Sequence, residues 1–228
     1  MRLGEGLGGL ARLHLSRGEL GFVYFEFSAL AVSTANHRFL FDPAEVVRKE
    51  DLSAWKPHLF LITHEHFDHF EPSHLIELQR ASGGTVVCNS GSYPSLKGRV
   101  GKLVLLRAGE TAEVEGARVR GIEAEHPAEE PLMFLVESGG LTFFHGSDSS
   151  FTAEVGKYRA DVAFLPAGAP SPTASVEDAL RMARALGCRV AVPFHCSPEE
   201  AEEFEKRAKD ELRGVKVILP EPGKVYKI

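Results

Sequence analysis

Short apolar runs separated by polar breaks dominate the chain, and most are too brief for anything but strands. Residues 20–27 and 38–41 are dense in aromatic and β-branched side chains, which suit a pleated surface, and the second run stops abruptly at Asp42-Pro43. Leu59-Phe60-Leu61-Ile62-Thr63 is apolar without alternation and predicts a short buried strand. Phe70-Glu71-Pro72, followed by Ser73-His74-Leu75-Ile76-Glu77-Leu78, predicts a helix start. Further strands are predicted at 85–88, 102–107, 117–124, 132–137, 141–145 and 162–165, with Gly139-Gly140 turning a hairpin between the fourth and fifth of these. Ser175-Val176-Glu177-Asp178 has the spacing of a helix N-cap, and Val176, Ala179, Leu180, Ala183 and Leu186 recur at helical period before Gly187, a natural stop. A strand at 190–194 precedes Ser197-Pro198-Glu199-Glu200, which opens a charged helix running to about Gly214. Strands at 215–219 and 225–228 finish the sheet.

This order, strands first and then strand and helix alternating, is that of an α/β (α+β) protein. The two halves share that texture, yet no internal repeat, low-complexity segment or linker separates them. With 228 residues, 43% of them hydrophobic, a single domain spanning 1–228 is expected.

Composition narrows the function classes. A formal charge of −6 leaves no general basic footprint, which argues against a nonspecific grip on nucleic acid. Cys88, Cys188 and Cys196 are too few and too scattered for a disulfide framework or a thiolate zinc site, so a reducing cytoplasm fits best. The N-terminus lacks a continuous apolar core, and Glu26 interrupts the run 22–32, so neither an export signal nor a membrane span is expected.

Candidate chemistry concentrates in His64-Glu65-His66-Phe67-Asp68-His69, directly after the strand at 59–63. A histidine ligand offers one ring nitrogen while a second partner must hold the other, so three imidazoles and a carboxylate in six residues point to metal ligation. Loops leaving strand ends converge on a crevice while the sheet stays rigid. His126, Asp148 and His195 each follow a predicted strand in the same way. Together they make seven ligands, about what two tetrahedral or five-coordinate divalent ions need. Nitrogen and oxygen without thiolate suggest zinc, with manganese or iron as alternatives.

His64-x-His66-x-Asp68-His69 with His126, Asp148 and His195 in that order resembles the metallo-β-lactamase superfamily signature, and Asp42 after a strand resembles its first, supporting motif. The resemblance covers nearly the whole chain. It implies a four-layer αββα sandwich with metals at one edge. It further implies that His64, His66 and His126 hold one ion, that Asp68, His69 and His195 hold the other, and that Asp148 bridges them. Within the superfamily, 161–166 and 192–195 look most like the cytoplasmic metal-dependent hydrolases related to ascorbate-6-phosphate lactonase. Two departures stand against that pattern: Glu26-Phe27-Ser28-Ala29 where members often carry Gly-His, and Ser147-Asp148 in place of Gly-Asp. The clamp domain of the nuclease branch, the appended domains of glyoxalase II and flavodiiron relatives, and the exosite arm of transfer-RNA-processing relatives are not expected here.

The implied activity is hydrolysis of a small lactone, ester, amide or phosphoester by a metal-bridging hydroxide, with Asp68 orienting the nucleophile and carrying its proton. Asp42 would support the ligand loop from behind. The other readings are a noncatalytic metal- or ligand-binding protein and an iron-centred redox enzyme on the same fold. Expected partners are a small-molecule substrate, with no nucleic acid and no membrane; a homo-oligomer is left open. His14, His37, His58 and His74 read as structural or surface residues, whereas His145, three residues before Asp148, is the candidate to reach substrate. Cys196 reads as a packing residue. Substrate-reading side chains are expected on loops 88–97, 125–131 and 167–173, whose composition names no ligand.

Overall fold

Consecutive residues of the central strands face two different cores, and that parity builds the architecture. A computed structural model of the chain describes residues 3 to 228. In β1 (Leu20–Tyr24), β2 (Leu30–Thr34), β3 (Arg38–Phe41), β4 (Leu59–Ile62), β5 (Thr85–Cys88) and β6 (Leu103–Leu105), side chains such as Phe22, Val32, Phe39, Leu59 and Leu61 join one cluster. Their neighbours Val23, Ala31, Leu40, Phe60 and Ile62 join another. A second set comprises β7 (Thr111–Val114), β8 (Ala117–Glu123), β9 (Leu132–Ser138), β10 (Leu141–His145), β11 (Val162–Pro166), β12 (Val190–Phe194) and β13 (Lys216–Val217). It repeats the device, with Val162 and Phe164 facing the first cluster and Ala163 and Leu165 facing away. Apolar runs without alternation are therefore strands buried on both faces.

Each sheet has seven strands, ordered β14-β1-β2-β3-β4-β5-β6 and β13-β12-β11-β10-β9-β8-β7, where β14 (Val225–Lys227) returns to the first sheet beside β1. The sheets pack face to face through edge-on aromatic pairs, Phe22 with Phe164 at 5.1 Å and Phe39 with Phe143 at 5.3 Å. Each such side chain contributes about 1.5 to 3 kcal/mol by leaving water. Outside the first sheet lie α1 (Leu3–Ala11), α2 (Pro72–Ser82) and α3 (Tyr93–Leu96); outside the second lie α4 (Val176–Leu186) and α5 (Pro198–Glu211). This is a four-layer αββα sandwich. Strands β3 to β6 run parallel, as do β10 to β13, so the carboxyl ends of β4, β10 and β12 open toward loops that carry candidate ligands, and that of β3 toward Asp42.

Four expectations change. The strand at 20–27 ends at Tyr24, because Glu26, Phe27 and Ser28 turn the chain into the unpredicted β2; Ala29 N–H donates to the Glu26 carbonyl, and Phe27 takes a φ of 50°. Helix α1 escapes prediction because Gly4, Gly6, Gly8 and Gly9 weaken its propensity. Two of those glycines, Gly6 and Gly9, permit close packing: a Cβ on Gly9 would fall 2.7 Å from Val225 Cγ2. Strand β7 was likewise not predicted, and the run at 102–107 shrinks to β6. Finally, the two C-terminal strands finish different sheets rather than one.

Candidate metal centre

The site is built where both sheets end. The first sheet contributes Asp42 after β3 and the turn His64–His69 after β4, closed by Phe70 N–H donating to the His66 carbonyl at 2.8 Å. The second contributes His126 after β8, Asp148 after β10 and His195 after β12. The Leu132 amide donates to the Thr63 carbonyl and ties the sheets together at this edge. The seven side chains predicted as ligands fall into two groups: His64, His66 and His126, and Asp68, His69, Asp148 and His195. Within each group, one donor atom per residue lies within 4.8 Å of every other. Asp148, expected between the two ions, is placed with the second group.

Hydrogen bonds fix which nitrogen of His64, His69 and His126 faces inward. The Asp42 carboxylate is fully buried; Oδ1 accepts the Thr63 amide at 2.8 Å, while Oδ2 accepts the Thr63 hydroxyl at 2.7 Å and His69 Nδ1–H at 2.9 Å. A hydroxyl has one proton, and Thr63 gives its proton to Asp42. It must therefore accept from His64 Nδ1–H, 3.0 Å away, which leaves His64 Nε2 bare. Thr173 repeats the logic on the other sheet. Its hydroxyl donates to the Asp148 carbonyl at 2.6 Å and so accepts His126 Nδ1–H at 3.0 Å, turning His126 Nε2 toward His66 Nδ1, 3.1 Å away.

The inward atoms are what a cation would need. His64 Nε2, His69 Nε2 and both ring nitrogens of His195 are buried without a hydrogen-bond partner, and a buried polar atom left unmatched costs about 1 to 3 kcal/mol. His69 Nε2 lies 3.1 Å from Asp148 Oδ1, and His195 Nε2 lies 3.3 Å from Asp148 Oδ1 and 3.5 Å from Asp68 Oδ2. Burial would push the His69 imidazolium down, but Asp42 and Asp148 outweigh it and raise its pKa to about 10. Burial, with His69 beside it, instead drives His64 far below the usual imidazole range. Burial would raise Asp148, yet His69, His195 and His64 hold its carboxyl well below the usual carboxylate range. Negative carboxylates and imidazole nitrogens thus converge on one pocket of the fold, with His64 Nε2 bare and His69 Nε2 keeping a proton against Asp148 that a bound cation would displace; a donor set of nitrogen and oxygen of this kind fits divalent metal ions.

Backbone strain gathers here too. Asp42, Ser147 and His195 have φ of 38°, 57° and 48°, conformations that cost non-glycine residues of order 1 to 3 kcal/mol and persist where surroundings enforce them. Sequence reasoning did not find Thr63, Thr173, Ser28, Glu65 or Asn89 as contributors. Ser28 donates its hydroxyl proton to Asp148 Oδ1 at 3.3 Å. Glu65, between two ligands, accepts the Glu129 amide at 2.8 Å and the Asn89 side-chain amide at 3.3 Å, and Asn89 also donates to the Glu129 carbonyl at 2.7 Å, so the pair pins the loop that carries His126.

His145 does not reach a substrate. It is wholly buried and stacked on Phe41 at 4.6 Å. Its Nε2–H donates to the Ser28 carbonyl, and its Nδ1 accepts the Ser147 amide. It lies on the inward parity of β10 with Phe143, which makes it a core pin between the Ser28 and Asp148 turns. His37 and His74 bond backbone carbonyls and His58 meets Arg38, all away from the centre. Cys196 lies outside both groups, and burial pushes its thiol up to about 12, away from the thiolate form that a nucleophile needs.

An αββα sandwich with histidines and aspartates at the shared edge of its sheets is the metallo-β-lactamase fold. Residues 22–195 match the model of the beta-lactamase superfamily domain, and the chain belongs to that family. It is 32% identical over 205 residues to a UPF0173 metal-dependent hydrolase of Rubrobacter xylanophilus, covering 79% of this chain and 81% of that one. A UPF0173 metal-dependent hydrolase of Thermus thermophilus is 26% identical over 224 residues, covering 90% and 97%. Within the superfamily, then, the chain belongs to the metal-dependent hydrolases of that group. Neither relative is named a lactonase. Igni18, a metallo hydrolase from the archaeon Ignicoccus hospitalis, shares the fold with a TM-score of 0.80 at 23% identity, covering 92% of this chain and 98% of that one. No helix among the described residues is long and apolar enough to cross a membrane.

Proposed function

We propose that the chain hydrolyses a small lactone, ester, amide or phosphoester with two divalent metal ions, zinc before manganese or iron. The observation that carries this reading is the convergence of partnerless buried imidazole nitrogens on two carboxylates. His64, His66 and His126 would hold one ion, Asp68, His69 and His195 the other, with Asp148 shared. When bound, such ions polarise the bond under attack and make water a nucleophile near neutral pH.

The chain's own residues supply the rest. Thr63 and Thr173 hold His64 and His126 in the tautomers described, so that lone pairs face the centre, and Asp42 takes the Nδ1–H of His69, so that Nε2 is the nitrogen a cation would claim from its proton. Asp68 is the one carboxylate of the cluster with appreciable exposure, 15% of its side chain. Burial would raise its pKa, but His195 and His69 hold it below the ordinary value, so it stays ionised at neutral pH and can take a proton from the attacking water and pass it to the leaving group. The fully buried Asp42 cannot.

Elemental analysis coupled to a screen of lactones, thioesters and phosphodiesters tests the proposal. Stoichiometric transition metal and turnover that is lost on chelation and in Asp68→Asn are expected. Purified protein without such metal ends both the hydrolase and the redox reading; turnover surviving chelation and Asp68→Asn ends this mechanism; bound metal with no turnover favours a binding protein.

A further inference from the structure

Eight loops either carry the ligand cluster or bond to it. They are residues 25–29, 42–48, 63–71, 89–92, 124–131, 146–152, 167–175 and 195–197, the segments that follow β1, β3, β4, β5, β8, β10, β11 and β12. Of the chain's 26 lysines and arginines only Arg48 falls in them, at the far end of its loop, where it pairs with Asp51 at 3.3 Å. Outside the site's own aspartates, the other charged residues they carry are all acidic: Glu26, Glu45, Glu65, Glu71, Glu125, Glu129 and Glu130. Arg107, on the loop after β6, lines a cavity with Glu123 and Glu130.

The same rim carries the exposed large hydrophobic side chains of the described residues. They are Phe27, 37% exposed, and Phe67, 84% exposed. Phe67 sits between two ligands, His66 and Asp68. Phe27 has its ring 6.0 Å from that of His195, and the next residue, Ser28, bonds to Asp148. A lone exposed aromatic on a surface needs no explanation. Two that both border a cluster of buried polar residues, one of them on a backbone with φ of 50°, are placed by the site.

Building on the hydrolase reading, we propose that this rim selects uncharged substrates bearing an apolar substituent: a lactone, ester or amide whose alkyl or aryl group lies against Phe27 and Phe67, and not a phosphorylated compound. The ions would serve the reacting group and leave the substituent to the rim. An anionic substituent there meets loops whose charge, Arg48 apart, is acidic, and a cleft lined predominantly by one sign of charge repels its like. An apolar one covers two rings otherwise left in water, an advantage of roughly tenfold to a hundredfold per ring covered.

The test uses metal-loaded enzyme and compares p-nitrophenyl acetate, octanoate and the singly esterified suberate, whose acyl chain ends in a carboxylate. The octanoate is expected to exceed both others in kcat/KM by tenfold or more, and its advantage over the acetate is expected to collapse in Phe27→Ala and Phe67→Ala. Calorimetric binding of octanohydroxamate and acetohydroxamate reads the same preference without turnover. Equal affinities for the two, or a preference for the suberate, would overturn the inference while leaving the hydrolase reading intact; absence of metal or of any turnover would overturn the hydrolase reading instead. Dimerisation that is lost in Phe67→Ala, with the octanoyl preference kept, would reassign Phe67 to an interface between copies.

Discussion

Thr173 offers the sharpest check on how the metal ligands are held. Its hydroxyl passes one proton to the Asp148 carbonyl and receives one from His126 Nδ1, so a single side chain sets the tautomer of a ligand in one group and braces a ligand of the other. In Thr173→Val the shape is kept and the hydroxyl lost. His126 Nδ1–H then has no acceptor, while the Asp148 carbonyl keeps the Ser171 hydroxyl at 2.9 Å. The damage should therefore concentrate on His126. An unmatched buried donor costs about 1 to 3 kcal/mol. His126 can escape that cost by moving its proton to Nε2, the atom that faces His66, and this blocks the lone pair a metal requires.

Either route weakens metal binding by roughly tenfold to a hundredfold, the usual effect of removing the partner behind a histidine ligand. Thr173→Ser restores the hydroxyl and is expected to recover most of the loss. Competition titration against a chromophoric chelator measures the affinity, and thermal unfolding of the metal-free proteins separates a folding defect from a binding one. Should Thr173→Val bind metal as tightly as the parent, or Thr173→Ser fail as badly as Val, the proton count behind this assignment is wrong.

Two further perturbations follow from the same geometry. A Cβ at Gly91 would collide with the Glu65 carboxylate, so Gly91→Ala should release the loop bearing His126 and weaken metal binding about tenfold, with the melting temperature of the metal-free protein lowered; unchanged affinity would remove Glu65 from the positioning role. His145, whose imidazolium burial pushes down to about 4 against the pull of Asp42, stays neutral in the folded chain while the unfolded chain takes up a proton below 6.5. Its contribution is thus full above pH 6.5 and lost as pH falls from 6.5 to 4, about 3 kcal/mol in all. Urea unfolding of the metal-free parent and of His145→Asn at pH 7 and pH 4 should show the parent losing about that much more than the variant, and a constant gap would refute it.

How much of this could be read from the sequence depends on the span of the interaction. The strands that hold ligands announced themselves because a strand buried on both faces has no polar positions to blur it, as in Leu59 to Ile62. The turn His64 to His69 was legible because its ligands are neighbours in sequence. Thr173 was not, because His126 lies 47 residues away and a threonine in a Pro-Thr-Ala loop carries no local mark of its acceptor role. Asn89 and the Glu129 carbonyl, 40 residues apart, are hidden likewise. His145 was misread for the opposite reason. Its nearness to Asp148 in sequence suggested shared chemistry, but strand parity sets it beside Phe143 on the inward face, where a neutral ring serves packing.

Sheet packing also explains why the centre sits at this edge. His64 and His66 come from the first sheet and His126 from the second; Asp68 and His69 come from the first, Asp148 and His195 from the second. Neither group of donors exists until the sheets are packed, so the aromatic contacts between Phe22 and Phe164 and between Phe39 and Phe143 are what bring the ligands within reach of one another. Each sheet also brings its own means of turning a ring inward: Thr63 with Asp42 on one side, Thr173 with the Asp148 carbonyl on the other. Two unrelated threonines thus solve one problem, which is to spend a hydroxyl proton on an oxygen so that the neighbouring histidine must give up its own. That repeated solution on independent strands is hard to account for by packing alone, and follows directly if bare imidazole nitrogens are what the edge is built to present.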